Sequence, residues 1–191
     1  MGRSKPGFKL GYNVTWSDPT SALLYTPDRK AVPANYRENF TKYFGGSRNA
    51  YYSAICNNIA KYIEPNDAYD LILYPGTAIQ YASETHGVPE ADPNRNYDLY
   101  RDYVHLSDFG RLIAAYQVYA QYFGLEELTS VNLDVVEANM RATYREVAFG
   151  DFVLTQQHKE AILASVNYAL KNPNTNPPQT AREPAILEPL S

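Results

Sequence analysis

The chain has 191 residues, of which 45% are hydrophobic and 20% are charged, and its formal net charge is −4. This length and composition indicate one globular domain with a buried core. The negative charge argues against nonspecific binding to nucleic-acid phosphates, so we expect no nucleic-acid partner. No stretch approaches the roughly 18 apolar residues of a membrane span, and no apolar segment follows the basic N-terminus as it would in a signal peptide.

Two residue types stand out by their number. The single cysteine, Cys56, excludes an internal disulfide framework and a cysteine-rich metal site, and its apolar surroundings predict a buried, unreactive thiol. The absence of disulfides leaves the compartment open. The 18 tyrosines supply amphipathic contact area of the kind that lines sugar-binding surfaces, although most are expected to fill the core or its rim.

The first third of the chain predicts a strand and two helices. Residues 8–16 (FKLGYNVTW) alternate loosely and are rich in β-forming residues, which indicates a strand. After a proline-containing loop, a short helix is predicted over residues 36–44 and is closed by a pair of glycines. A longer helix begins at the cap residue Ser47 and extends to Ile63, since its apolar residues recur at helical spacing.

A second strand follows. Residues 69–74 (YDLILY) form a short continuous apolar run, which is typical of a strand buried in a parallel sheet. Pro75-Gly76 ends this strand, and a helix is predicted from Thr77 to about Thr85. Two strands are few for an open α/β sheet, so we expect further strands beyond Met1 or from a partner.

The rest of the chain predicts helices and a tail. A strongly amphipathic helix is expected over residues 109–123, with Gly124 just past its end. Two or three further helices are predicted over residues 132–148 and 155–171. The proline-rich segment 172–191 is expected to be an extended or disordered tail, so the domain covers residues 1–171.

A carboxylate and a histidine three residues apart precede the predicted amphipathic helix. Asp102 can accept a hydrogen bond from one imidazole nitrogen of His105, which leaves the other nitrogen to take a proton from a nucleophile. Ser107 or Asp108 can cap the helix and anchor this loop. Taken alone, the spacing is also that of a capped helix with a surface histidine.

The wider segment DYVHLSDFGRLIAAYQVYAQYFG resembles the last block of the SGNH hydrolases, where Asp-x-x-His-x-Ser precedes a helix rich in small residues. The turn YPGTAIQ (74–80) and the strand at 8–16 resemble segments of an uncharacterised branch of that superfamily, frequent in gut bacteria. The matches occur in the same order over roughly residues 8–125. The resemblance implies a flavodoxin-like three-layer α/β/α fold with a parallel sheet, of which the N-terminal strands are missing here.

The same resemblance implies roles for individual residues. Asp102 and His105 correspond to the acid and base of a catalytic triad, and Asp102 fits the spacing better than Asp98.

Four further residues are implied to bind substrate, because they lie at the C-terminal ends of parallel strands, where open sheets bind ligands. They are Trp16, Gly76, Thr77 and Gln80. Helix capping explains Thr77 equally well, and Trp16 could equally be a core or rim aromatic residue.

The chain departs from the family at the nucleophile. The family has a serine in a Gly-Asp-Ser or similar turn after its first strand, followed by glycine and asparagine oxyanion donors. Ser47, after two glycines, has the pattern of a helix start, Ser107 serves as a cap, and Asn13 cannot be assigned. A histidine–aspartate pair without a nucleophile forms no acyl-enzyme, so we expect the chain alone to hydrolyse esters poorly or not at all.

Two functions remain open. The first is an SGNH-type serine ester hydrolase acting on carbohydrate O-acetyl or other small acyl esters, without a cofactor, and completed by a homo-oligomer or a complementing N-terminal half. The second is a non-catalytic binding or scaffolding module derived from such a hydrolase. A metal hydrolase is disfavoured, because His86, His105 and His158 lie on separate predicted elements, and His86 and His158 are expected to be solvated.

Overall fold

The computed structural model describes residues 9–17, 33–85, 99–100, 105–132, 134–135 and 155–178. Within these ranges the protein is mixed α/β, with five α-helices and a two-stranded parallel sheet. The elements in chain order are β1 (Gly11–Asn13), α1 (Ala34–Phe44), α2 (Arg48–Asn58), a π-helical turn (Ile59–Ile63), β2 (Leu71–Leu73), α3 (Pro75–Thr85), α4 (Asp108–Tyr122) and α5 (Gln156–Lys171).

The α/β class and the parallel pairing agree with the sequence prediction. Both strands are shorter than predicted, because only three residues of each pair with the other, from Gly11 opposite Leu71 to Asn13 opposite Leu73. The third helix begins at Pro75 rather than Thr77, since proline fits the first turn of a helix. The SGNH fold itself stays a prediction, and residues 136–148 of the helical segment predicted over residues 132–148 lie outside the described residues.

The helix ends follow their local chemistry. Ser47 caps α2 by accepting a hydrogen bond from the Ala50 amide at 3.1 Å. Ser107, rather than Asp108, caps α4 by accepting from the Gly110 amide at 3.2 Å. Gly124 follows α4 with a φ of 65°, a left-handed conformation that glycine adopts without strain.

The outer edge of β2 is closed by a side chain rather than by a third strand. The Gln121 amide on α4 donates to the Ile72 carbonyl at 2.8 Å and accepts from the Tyr74 amide at 2.9 Å. One glutamine therefore supplies both hydrogen bonds that a neighbouring strand would make at this point.

The opposite edge of the sheet, along β1, is open. Leu10 and Val14 make backbone hydrogen bonds with the β2 side, so the backbone groups of Gly11 and Asn13 face away from β2. Both residues are exposed, and neither backbone is bonded on that side to another residue in the described ranges. This edge can accept a further strand.

Two apolar clusters hold the elements together. A small one, centred on Val14, Ile59 and Tyr74, packs α2 and its π-helical turn against the sheet. The larger one joins α3, α4 and α5, with fully buried side chains such as Ile79, Phe109 and Ile162.

The segment after α5 lies along α2. The Asn176 amide donates to the Asn49 carbonyl at 2.8 Å and to the Ser53 hydroxyl at 2.6 Å. Asn174 donates to the Cys56 carbonyl at 3.1 Å. The predicted tail is thus described as far as residue 178, and residues 179–191 lie outside the described ranges.

Gly76 is the point of closest approach between β1 and α3. A Cβ atom at this position would lie 2.0 Å from the Thr15 carbonyl oxygen, which is backbone and cannot rotate away. Only glycine therefore allows α3 to start directly beside the end of β1.

We expect Gly76→Ala to lower the free energy of unfolding by about 3 kcal/mol, because the added methyl group forces the backbone apart. Urea denaturation measures this change. Gly11→Ala is the matched control, since its Cβ would meet only the Leu71 carbonyl oxygen at 3.8 Å. Equal loss in both variants would contradict the close-packing explanation.

We expect Gln121→Leu to lower the free energy of unfolding by about 2 kcal/mol, because it leaves two backbone groups of β2 without partners. Gln121→Glu should lose less, since its carboxylate can still accept from the Tyr74 amide. Urea denaturation of both variants measures these changes. Equal losses in Gln121→Leu and Gln121→Glu would contradict the role of Gln121 at the sheet edge.

Candidate functional site

The predicted catalytic pair is only partly described. Asp102 lies outside the described residues. A short loop, residues 105–107, precedes α4, and His105 at its start is exposed. Leu106 forms an isolated antiparallel bridge with Tyr100, and the Ser107 amide donates to the Leu99 carbonyl at 2.9 Å. The backbone directly after His105 is therefore fixed, and the imidazole is exposed to solvent.

A tyrosine connects this loop to the end of β1. The Tyr100 hydroxyl donates to the backbone carbonyl of Ser17 at 2.8 Å, and the Tyr100 side chain is buried. Ser17 follows β1 in the sequence, at the carboxyl end of the strand. The histidine loop is thus anchored at the edge of the sheet where α/β proteins bind ligands.

A buried arginine organises the same region. Arg48, the first residue of α2, is 5% exposed. Its Nε donates to the Ser17 hydroxyl at 2.9 Å, and one terminal nitrogen donates to the Ser83 hydroxyl. The other contacts the Tyr100 hydroxyl at 3.3 Å, and the guanidinium lies 5.5 Å from the centre of the Tyr100 ring. These contacts hold the charge away from water.

Gln80 extends the cluster along α3. Its side-chain oxygen accepts from the Ser17 hydroxyl at 2.6 Å, and its nitrogen donates to the Glu84 carboxylate at 3.0 Å. The same oxygen lies 3.4 Å from Arg48. We call Ser17, Arg48, Gln80, Ser83, Glu84 and Tyr100 the arginine cluster.

The other predicted substrate-binding residues are at the same end of the sheet but are not open to solvent. Gly76 and Thr77 are buried, and the Thr77 hydroxyl is 2.9 Å from the Tyr52 hydroxyl. Burial raises the pKa of Tyr52 well above its ordinary value, which keeps the phenol protonated. Trp16 is partly buried against the larger apolar cluster.

Five members of the arginine cluster were not predicted: Ser17, Arg48, Ser83, Glu84 and Tyr100. The position of Ser17 in the site could have been predicted, because Ser17 directly follows a predicted parallel strand. Arg48 carried none, since an arginine after a capping serine normally points into solvent.

The serines singled out above have structural partners. Ser47 and Ser107 cap helices. The Ser17 hydroxyl is fully buried, donates to Gln80 and accepts from Arg48. An amide oxygen cannot take the Ser17 proton as a base does, so Ser17 in this arrangement is not an activated nucleophile.

His158 is buried, and the expectation of a solvated side chain was wrong. It is the third residue of α5, and its Nδ1 accepts from the Thr155 amide at 3.0 Å in a capping box. Its ring packs edge-on against Phe109 at 4.7 Å. Burial lowers the pKa of His158 to about 4.

Cys56 is 8% exposed, as its apolar context predicted. Burial raises the pKa of its thiol to about 11, so the reactive thiolate is scarce at neutral pH. In the part of the chain that the structure describes, no three His, Cys, Asp or Glu side chains gather into a possible metal site. No described helix has the length and apolar character needed to cross a membrane.

In comparisons with known proteins, no protein-family model matches this chain, and no curated protein or solved structure is significantly similar to it. The described elements define the class only as mixed α/β with a parallel sheet.

We expect the protein to lose stability as the pH falls from 6.5 to 4, because the unfolded chain binds a proton at His158 in this range and the folded chain does not. The loss due to this residue is about 2–3 kcal/mol. In His158→Gln, which keeps the capping-box acceptor, this part of the pH dependence should disappear.

Urea denaturation at several pH values measures the effect. An unchanged slope in His158→Gln would contradict the assignment.

Proposed function

We propose that this protein is an SGNH-type serine ester hydrolase in which His105 is the general base and Asp102 orients it. Its substrates are carbohydrate O-acetyl esters or other small acyl esters. The proposal combines the sequence resemblance with one structural observation: an exposed histidine lies in an anchored loop at the carboxyl end of a parallel sheet.

The anchoring supports the role of His105. A general base must be accessible to substrate and held in one position. The side chain of His105 is exposed, while Ser107 caps α4 immediately after the loop and Tyr100 binds Ser17 before it. The backbone next to His105 is therefore held in place, while its side chain is exposed.

The reaction then follows from the proposed roles. A serine hydroxyl attacks the ester carbonyl carbon while His105 takes the hydroxyl proton. The tetrahedral intermediate collapses, His105 returns the proton to the departing alcohol, and an acyl-enzyme remains. Water, activated by His105 in the same way, releases the carboxylic acid and restores the serine.

The attacking serine and the oxyanion donors lie outside the described residues in this proposal. Ser17, Ser47 and Ser107 are unsuited, since each is engaged in structural hydrogen bonds. The open edge of β1 is a suitable position for an added strand that brings these groups, because Gly11 and Asn13 face away from β2 and are exposed.

A second candidate function is a non-catalytic binding module derived from a hydrolase. The observation in its favour is the arginine cluster, which uses the Ser17 hydroxyl at the carboxyl end of β1 for buried structural bonds. A serine held in this way contributes to stability rather than to covalent catalysis.

The test is acetate release from acetylated xylan and from p-nitrophenyl acetate. If the proposal holds, the protein shows measurable activity, slow for the chain alone. His105→Gln and Asp102→Asn should each lower the rate by at least about tenfold, because general base catalysis contributes 10²–10⁴-fold.

His86→Gln is the control for nonspecific hydrolysis by an imidazole and should retain the parental rate. Equal rates in an active parent and in the His105 and Asp102 variants would contradict the roles of these two residues, and no activity would mean an incomplete hydrolase or the binding module.

A further inference from the structure

An aromatic cleft lies between α1 and α2, on residues that are separate from the arginine cluster and His105. It has a volume of about 210 Å³. Its lining consists of five aromatic and two amide side chains: Asn35, Tyr36, Asn39, Phe40, Tyr43, Phe44 and Tyr51. We call this the aromatic cleft.

The aromatic lining comes from helical spacing on α1. Tyr36, Phe40 and Tyr43 recur every three or four residues and so share one face of the helix. No residue of α1 is fully buried, so this face is not used for the core. A left-handed Gly45, with a φ of 61°, ends α1 and allows the chain to turn into α2.

Three of the rings in the aromatic cleft are packed together and partly buried, and a fourth is exposed at its edge. Phe44 lies 4.6 Å and Phe40 lies 6.0 Å from Tyr51, measured between ring centres, and these three rings are partly buried. Tyr43 is 65% exposed at the rim. An exposed aromatic face beside other rings offers a flat apolar surface with a negative quadrupole.

Two amides complete the lining. Asn35 and Asn39 are one helical turn apart on α1, and both are exposed. Within the described residues, neither side-chain amide has a hydrogen-bond partner. Each can therefore donate to and accept from a ligand hydroxyl.

We infer that the aromatic cleft binds a neutral pyranose unit of a carbohydrate chain. The C–H face of a sugar with equatorial hydroxyls fits an aromatic ring, and the hydroxyls at its edge fit the Asn35 and Asn39 amides.

The dimensions support a ligand of this size. A cleft of about 210 Å³ is smaller than the roughly 300–1,000 Å³ of sites for drug-sized ligands, so it suits a single ring. A stable protein partner would need about 800 Å² of surface on each side, far more than this cleft offers.

The cleft and the arginine cluster both use residues of α2. Tyr51 lines the cleft, while its neighbours on α2, Arg48 and Tyr52, face the carboxyl end of the sheet. The inference goes beyond the proposed hydrolase, since binding by the cleft requires neither His105 nor a nucleophile.

The experiment is binding of xylohexaose, cellohexaose and mannohexaose, none of them esterified, measured by calorimetry and saturation-transfer NMR on the full 191-residue chain. At least one should bind, and Tyr43→Ala should weaken its Kd by about tenfold, equivalent to 1.4 kcal/mol. Tyr43→Phe keeps the ring and should retain most of the affinity. Asn39→Ala should weaken binding more than Tyr43→Phe.

Tyr62→Ala is the matched control. Tyr62 is 57% exposed and has Lys61 4.8 Å above its ring, much as Tyr43 has Lys42 at 5.1 Å. It does not line the cleft, so this variant should bind normally.

Three results would overturn the inference: no binding of any of the three sugars, equal weakening by Tyr43→Ala and Tyr62→Ala, or a parent dimer in sedimentation that Tyr43→Ala converts to monomer. The third would make a second copy the occupant. Because the sugars carry no ester, failure of the hydrolase proposal leaves this result unaffected.

Discussion

The buried guanidinium of Arg48 is the interaction on which the carboxyl end of the sheet depends. A charge in the interior is costly unless its donors are satisfied, and removing one partner of such a group destabilises more than a surface bond would. Arg48 is satisfied by groups from the end of β1, from α3 and from the loop before His105. These segments are far apart in sequence, so a single charge fixes their relative positions.

The requirement to satisfy polar groups also shapes the sheet. A two-stranded sheet leaves unpaired backbone groups on both sides. Here Gln121 bonds the outer edge of β2, whereas no other residue of the described ranges bonds the outer backbone groups of Gly11 and Asn13 on β1. The two edges therefore differ in what they can accept.

The sequence was informative where short-range chemistry decides the structure. Ser47 and Ser107 were expected to cap helices because their hydroxyls can bond amides three residues ahead, and both do. The two apolar segments were expected to form parallel strands, and they pair in that way. The contacts within the candidate site could be predicted less well from such local patterns. Gln80 was expected at the strand end, but its partners Ser17 and Arg48 lie 63 and 32 residues away.

The sequence by itself determined the α/β class, the positions of the strands and most helix ends, because these follow from periodicity and capping over a few residues. It also determined the Asp-x-x-His spacing. Only the tertiary structure decided that Arg48 and His158 are buried, that Gln121 closes one sheet edge and that aromatic residues of α1 and α2 form a cleft. The physical reason is that burial and long-range hydrogen bonds depend on which segments pack together, and no local pattern specifies that choice.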